Sequence, residues 1–528
     1  MLSEATYYTR MGLGLWNLIR TPPHPDPASV IKAQLDNRES VFLATARRAV
    51  FDNPRNPYSH MFRLAGCEYG DLEAGVRRDG LENALEALHR EGVYLSHGEF
   101  KGLQPLVRRG VEIPSDTASF ANRTSAHSLE QVSSGSRSRG THSRMPTGLV
   151  SYREAFQSLV REEFRLAGRE TVGLLPILPS LGGLLRCAAS ARMGAPVSRW
   201  FSVGGTVRDS FSYRALTAAL VAEARLAGTY VPFPSYLRPN DFVKVAEWLA
   251  ARRSRGAACY LNSIVSPAVR VAAAAIENKL DISGSLFLVG GEALTEAKRV
   301  LIESAGVEVF PHYGISEIGQ AGHACSQMKS GNCVHVMLDT VAVIQQTRLA
   351  PLSGVEVSSL LFTTLLPFAP YFLINVEMED AGVLSPAQCG CSFSGFGFNL
   401  QIGDLYSYGK LTGHGMTLVG TDMLRILEQT LPAEFGGSPG DYQLEEREGR
   451  AQTEFALRVS PRVRVHSVER VRASFLAQVR RLYGGALTAR HWSHSNGFQV
   501  VIAEPFLTGS GKVLPLHLLG TRKSETPR

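Results

Sequence analysis

Three stretches of this sequence combine residue types that handle phosphate, nucleotide or carboxylate groups. The first is the run Ser133, Ser134, Gly135, Ser136, Arg137, Ser138 and Arg139. Small residues let backbone amides approach an anion, hydroxyls donate hydrogen bonds to it, and arginine adds a planar cation. A solvated low-complexity loop has the same composition. The second pairs Gly290, Gly291, Glu292 and Ala293 with Tyr313, Gly314, Ile315, Ser316 and Glu317. A tyrosine ring can stack on a planar base, a serine can meet a phosphate oxygen, and a carboxylate can hold Mg²⁺. A tight turn and an ordinary helix cap explain either half alone, but less readily both at adjacent strand ends. The third is Gly509, Ser510, Gly511 and Lys512. It is not a Walker loop, because that pattern requires glycine where Phe506 stands and Ser/Thr where Val513 stands. A lysine mounted on glycines is instead a point charge that can be delivered to a reacting phosphate or carboxylate; a solvated surface lysine is the plainer alternative.

The second constellation sits where the apolar pattern predicts a strand, a helix and a strand. Leu286 to Val289 reads as a short buried strand, Glu292 to Ser304 as a helix with Leu294, Ala297, Leu301 and Ser304 on one side, and Val307 and Val309 as a second strand. Such a unit is parallel, so the Gly291-Glu292 loop and the Tyr313–Glu317 loop lie side by side at the carboxyl ends of the strands, where open α/β sheets bind ligands. The stretch from about 150 to 315 repeats this alternation. Residues 1–115 hold helical patterns such as Leu81, Leu85 and Leu88, and no chemistry. Beyond about residue 408 the character changes: a strand is expected over 454–459, a helix capped by Ser467 and carrying Val471, Phe475 and Val479, and a strand over 498–503. The expected organisation is a helical N-terminal part over 1–115, a core over 116–408, a glycine-rich hinge over 409–416 and a small α+β unit over 417–528.

With 528 residues, 44% hydrophobic and 20% charged, the chain has the proportions of a large folded protein. Its 55 basic against 48 acidic residues leave +7, too dispersed for a dedicated nucleic-acid binder. Seven cysteines are too few for a disulfide scaffold and point to a reducing compartment. The N-terminus lacks the apolar core of a secretory signal. The uncharged stretch 357–376 reaches membrane-spanning length but holds two prolines and several hydroxyls, so it reads as two buried strands around a turn. A cytoplasmic protein is expected.

In order and spacing these motifs resemble the adenylate-forming superfamily of acyl-CoA synthetases and adenylation domains, most of all its phenylacetate-CoA ligase-like and acyl-protein synthetase-like branch. The resemblance covers about residues 125 to 515. It implies an α/β architecture: a large N-terminal body with parallel and mixed sheets flanked by helices, and a small mobile C-terminal α+β domain. It also implies ATP, Mg²⁺ and coenzyme A. Ser133, Ser134, Gly135 and Ser136 would form the phosphate loop; Gly291, Glu292 and Ala293 would line the adenine pocket, with Tyr313 and Gly314 against the base. Ser316 would contact the α-phosphate, Glu317 would bind Mg²⁺, Asp380 would hold the ribose and Lys512 would bridge substrate carboxylate and phosphate. Lys410 or Thr412 would stand at the hinge.

Some members of this branch carry a structural zinc on cysteine, histidine and a Cys-x-Cys pair, which here implies Cys325, His335, Cys389 and Cys391, with Cys333 as a rival ligand and four unligated residues as the alternative. The sequence departs from the family at the phosphate loop, where Ser136, Arg137 and Ser138 replace Thr-Thr-Gly, and at the ribose strand, where Glu377 and Glu379 replace cations. The expected reaction is activation of a small carboxylic acid by ATP followed by acyl transfer to a thiol, with coenzyme A first among acceptors. The alternatives are transfer to a protein thiol, such as a carrier or acceptor protein, or to an amine, and a non-catalytic nucleotide-binding role. A dimer is compatible with all of them.

Overall fold

The structure is a computed structural model describing residues 2–122, 128–132, 142–203, 207–238, 241–329, 331–349, 356–408, 412–413, 416–417, 421–448, 453–482, 492, 498–508 and 511–519. Its centre is a 12-stranded mixed sheet. In chain order the strands are β1 (Glu170–Leu174), β2 (Arg199–Val203), β3 (Ser235–Leu237), β4 (Cys259–Ile264), β5 (Leu286–Gly290), β6 (Glu308–Ile315), β7 (Gly319–His323), β8 (Val334–Val336), β9 (Val341–Leu349), β10 (Glu356–Thr364), β11 (Val376–Pro386) and β12 (Leu400–Ser407). In space they run β9-β10-β11-β12-β8-β7-β6-β5-β4-β1-β2-β3. From β6 to β3 every pairing is parallel; from β6 to β9 every pairing is antiparallel.

The parallel half is covered on both faces, which is why its strands read as continuous apolar runs. All five residues of β5 are buried. On one face Leu288 and Phe310 pack under the helices Thr147–Glu163 and Gly182–Arg192; on the other Phe287 and Val309 pack under Val243–Arg253, Val265–Glu277 and Glu296–Ser304. Of the N-terminal helices, Leu2–Arg20 and Pro27–Asp36 pack beside Thr147–Glu163, and the later ones, including Leu81–Arg90 with Leu81, Leu85 and Leu88 buried, pack on the antiparallel half. Residues beyond 420 build a separate sheet of β13 (Tyr442–Glu448), β14 (Thr453–Val459), β15 (Phe498–Ile502) and β16 (Leu516–Leu519), in the order β15-β14-β13-β16. The helix Val468–Arg480 covers it with Val471, Phe475 and Val479, and the Ser467 hydroxyl accepts a hydrogen bond from the Arg470 amide as its N-cap.

Two local expectations change. The helix after Gly291 begins at Glu296, four residues later than the apolar pattern predicts, because the residues of the turn are spent on the contacts described below. Its buried residues are Lys298, Arg299 and Ile302 rather than Ala297, Leu301 and Ser304. Of the stretch 357–376, the first part is β10, but the second is an irregular buried segment whose carbonyls are met from outside: Tyr58 Oη donates to Ile374 O at 2.8 Å and Thr364 N to Leu373 O at 2.9 Å. Among the described residues no helix is long and apolar enough to cross a membrane.

Candidate active site

The parallel register places Gly290 opposite His312 and Ile264 opposite Gly290, so the loops leaving β4, β5 and β6 share one end of the sheet. Gly291 takes φ +78°, a conformation that L side chains rarely adopt, and the chain turns there out of β5. The turn presents Glu292, whose Oε2 accepts hydrogen bonds from the Ser266 amide at 2.8 Å and the Ser266 hydroxyl at 2.5 Å. The same hydroxyl accepts one from the Val513 amide at 3.2 Å. This short chain of bonds ties the Gly291–Glu292 turn to the C-terminal lysine segment.

Lys512 follows from that link. A Cβ on Gly291 would lie 3.3 Å from Lys512 Cε and 3.4 Å from Nζ, so the ammonium lies against the turn, and it is the positive φ of Gly291 that calls for glycine. Gly511 holds φ +87°, and the Lys512 amide donates to Thr508 Oγ1 at 3.0 Å. A separate anchor lies nearby: Lys298 Nζ is 2.8 Å from Glu428 Oε1, both side chains 8% exposed, and the Thr295 hydroxyl donates to Glu428 Oε2.

On β6 the Tyr313 hydroxyl donates to Asp380 Oδ2 at 2.6 Å, joining two residues far apart in sequence. Burial, then the Asp380 charge, pushes the Tyr313 phenol well above its ordinary pKa, so it stays a neutral donor. Gly314 and Ser316 are exposed at the end of β6, and Ala293 is half-buried in the turn after β5. Glu317 is ion-paired with Lys101, from the N-terminal helical part. Neither Lys101 nor Ser266 carries a sequence signal: each is a common residue in an unremarked segment, brought in only by packing.

The departures on β11 also find partners. Glu377 is buried and accepts from Ser359 Oγ at 2.8 Å, from the Tyr408 hydroxyl and from Arg348. Glu379 lies 3.7 Å from His97 Nδ1. Ser133, Ser134, Gly135, Ser136, Lys410 and Ser510 lie outside the described residues, and Thr412 is placed only as strand backbone in Thr412–Gly413.

Cys325, His335, Cys389 and Cys391 converge, with one ligand atom each, all within 4.8 Å of one another. The antiparallel pairing of β7 and β8 sets His323 opposite His335 and so folds the long Cys325–His335 spacing back on itself. His335 Nε2 is 3.1 Å from Cys389 Sγ and 3.3 Å from Cys391 Sγ, while its Nδ1 sits 2.8 Å from the Phe398 carbonyl, which orients the ring. Glu163 braces both halves: Oε1 accepts from the Ser326 amide at 2.8 Å and Oε2 from the Ser392 amide at 2.9 Å, each serine following a cluster cysteine. Burial works to raise the Cys389 thiol, but hydrogen bonds from Ser394, Cys391 and Cys325 hold it below its ordinary pKa. Cys333 is not part of the cluster.

No protein-family model matches the chain, and no curated protein matches it by sequence. Among solved structures, a 2-hydroxyisobutyryl-CoA ligase in the postadenylation state with R3-HIB-AMP is similar at 16% identity, over 95% of this chain and 91% of its own, with a TM-score of 0.51. The same ligase in an open conformation with 2-HIB-AMP and CoA matches at 15% identity over 86% and 90%, TM-score 0.47. McyG A-PCP with phenylalanyl-adenylate matches at 12% identity over 82% and 73%, TM-score 0.41. The mixed sheet, the second smaller sheet and the overlay along nearly the whole chain give one conclusion: this protein has the fold of the adenylate-forming enzymes.

Proposed function

We propose that this chain activates a carboxylic acid with ATP as an acyl-adenylate and passes the acyl group to a thiol, coenzyme A being the first candidate acceptor. The observation that carries the reading is Lys512 lying against Gly291, beside the turn whose Glu292 is tied through Ser266 to the lysine's own segment. Attack of a carboxylate on the α-phosphorus brings two anions together, and a cation delivered to that point offsets their repulsion in the transition state. In this reading Gly291, Glu292 and Ala293 line the adenine pocket with Tyr313 and Gly314, Asp380 takes the ribose hydroxyls, Ser316 meets the α-phosphate, and Ser133 to Ser136 cradle the outer phosphates. Tyr313 and Asp380 are already mutually oriented by their 2.6 Å hydrogen bond. The similar ligase captured with an acyl-adenylate supports the same chemistry.

Glu317 would hold Mg²⁺, which when bound neutralises phosphate charge; to do so the carboxylate must exchange its Lys101 partner. The Cys325, His335, Cys389 and Cys391 cluster fits a structural Zn²⁺: four soft donors converge, three of them thiols, with the histidine oriented from behind. The division into a large body and a small unit that rotates about residues 409–416 completes the reading, since removing Lys512 would open the site to the thiol.

Pyrophosphate exchange dependent on an added carboxylic acid tests it. Exchange in the wild type, lost in Lys512→Ala with ATP binding retained, is the expected result; retained exchange in that variant would remove the lysine from the mechanism. The Lys101–Glu317 pair favours a second reading, a non-catalytic nucleotide binder, and ATP binding with no exchange across a broad acid panel would select it.

A further inference from the structure

Glu292, Ser266 and Val513 form a relay in which the direction of each bond is fixed by chemistry. An ionised carboxylate only accepts, so at 2.5 Å the Ser266 hydroxyl spends its single proton on Glu292 Oε2. Its lone pairs are left for an incoming donor, and the Val513 amide fills that place at 3.2 Å. The Ser266 amide reaches the same Oε2 at 2.8 Å, so the turn after β5 is held by backbone as well as by hydroxyl.

Both ends of the Val513 bond stand on rigid elements. Ser266 lies in the first turn of the helix Val265–Glu277 and is buried. The lysine segment closes on itself: the Gly511 amide donates to Thr508 O at 2.8 Å, the Thr508 amide to Lys512 O at 2.9 Å, and the Lys512 amide to Thr508 Oγ1 at 3.0 Å. On its far side the small sheet carries it, since Gln443 Nε2 of β13 donates to Leu514 O at 2.8 Å and the Leu444 amide to Pro515 O at 2.8 Å. A Cβ on Gly511 would lie 3.4 Å from Pro267 Cγ, so the segment rests on the same helical turn that presents Ser266. Fixing the Val513 amide therefore fixes its neighbour Lys512 against Gly291.

We propose that Ser266 is a positioning residue for adenylation: its hydroxyl, aimed by Glu292, seats the Val513 amide and so sets Lys512 at the reacting groups. This rests on the adenylation reading and adds to it a residue outside the three motifs. Thiol transfer, for which the lysine must leave, does not need the bond. Ser266→Ala removes the hydroxyl alone, because the amide bond to Glu292 Oε2 remains and keeps the turn in place. Loss of one hydrogen bond should weaken the seat about three- to tenfold.

The experiment combines hydrogen–deuterium exchange of the unliganded protein with the two half-reactions, in wild type, Ser266→Ala and Ser266→Thr. In Ser266→Ala the peptide spanning 511–516 should exchange about three- to tenfold faster while β13 exchanges as in wild type. The kcat of acid-dependent pyrophosphate exchange should fall by the same factor with KM for ATP unchanged, thioester formation from supplied acyl-adenylate should be spared, and Ser266→Thr, which keeps the hydroxyl, should recover the loss. Wild-type deuterium uptake over 511–516 in Ser266→Ala overturns the proposal. So does an equal loss in both half-reactions, which a general structural role would give, or an effect confined to KM for ATP, which would assign Ser266 to the nucleotide pocket. If no acid supports pyrophosphate exchange in the wild type, the adenylation reading fails, and deuterium uptake by itself then decides whether Ser266 seats the lysine segment.

Discussion

Glu428→Gln isolates one contact between the small unit and the large body, beside the Val513–Ser266 hydrogen bond. Glu428 Oε1 is 2.8 Å from Lys298 Nζ, with both side chains 8% exposed, and its other oxygen accepts from Thr295. Burial alone would lower the Lys298 pKa, and the Glu428 and then the Glu292 charges hold it above its ordinary value instead. Glutamine keeps the shape and the Thr295 contact but removes the charge, leaving a buried ammonium with Glu292 as its remaining counter-charge. Breaking a buried pair costs about 3–5 kcal/mol. With Glu292 still present the lower end applies, so the docked arrangement should weaken roughly a hundredfold. Since docking is what sets Lys512 against Gly291, acid-dependent pyrophosphate exchange should fall while thioester formation from supplied acyl-adenylate is spared. Limited trypsin digestion should cut faster near residues 409–416. The double replacement Lys298→Met with Glu428→Leu should restore docking, because an apolar pair of similar volume leaves no charge unpartnered. Exchange and digestion of Glu428→Gln both within twofold of wild type would refute the reasoning.

Other substitutions probe separate parts of the molecule. Purified protein should carry one zinc per chain by metal analysis, absent after Cys389→Ser, and Glu163→Gln should weaken zinc affinity about 10- to 100-fold by loosening the serines beside Cys325 and Cys391; metal-free wild type would dismiss the site. Asp339 is fully buried and its carboxyl is raised to about 6 by burial, although Tyr152 Oη donates to it at 2.6 Å. A raised carboxyl pKa means the native state holds the extra proton, so stability is highest below about pH 4 for this group and falls as pH rises to about 6; Asp339→Asn should flatten that part of the melting-temperature profile. A Cβ on Gly290 would lie 2.3 Å from His312 Cε1, so Gly290→Ala should cost about 1–3 kcal/mol by displacing the ring, seen in the melting temperature. Arg108→Met should cost about 3 kcal/mol, because Glu99, bonded to it at 2.6 Å, is left buried without a counter-charge and, among the described residues, with only the Ser96 amide donating to it at 2.8 Å; an unchanged denaturation midpoint would contradict this.

Much of the architecture was legible because local patterning and global fold agree. Leu286 to Val289 could only be a strand buried on both faces, the β-α-β order made β5 and β6 parallel neighbours, and Ser467 marked a helix start by its side chain alone. Where local signals failed, a tertiary contact had overridden them. The charged start of the helix after Gly291 was unwound into a turn that hands Glu292 to Ser266, and its buried face shifted because Lys298 and Arg299 found partners that composition does not show.

The sequence by itself determined the α/β class and which residue types stand at the ends of β5 and β6, because alternation, glycine turns and right-handed crossovers act over a few residues. The family resemblance pointed to the four residues of the Cys/His cluster, with Cys333 as a rival that the structure leaves out of it. Only the tertiary structure decided that Tyr313 bonds Asp380, that Lys101 meets Glu317 and that Lys512 rests on Gly291. Those pairings join segments separated by most of the chain, and their energy comes from burial and charge at one end of a sheet, which no local pattern encodes.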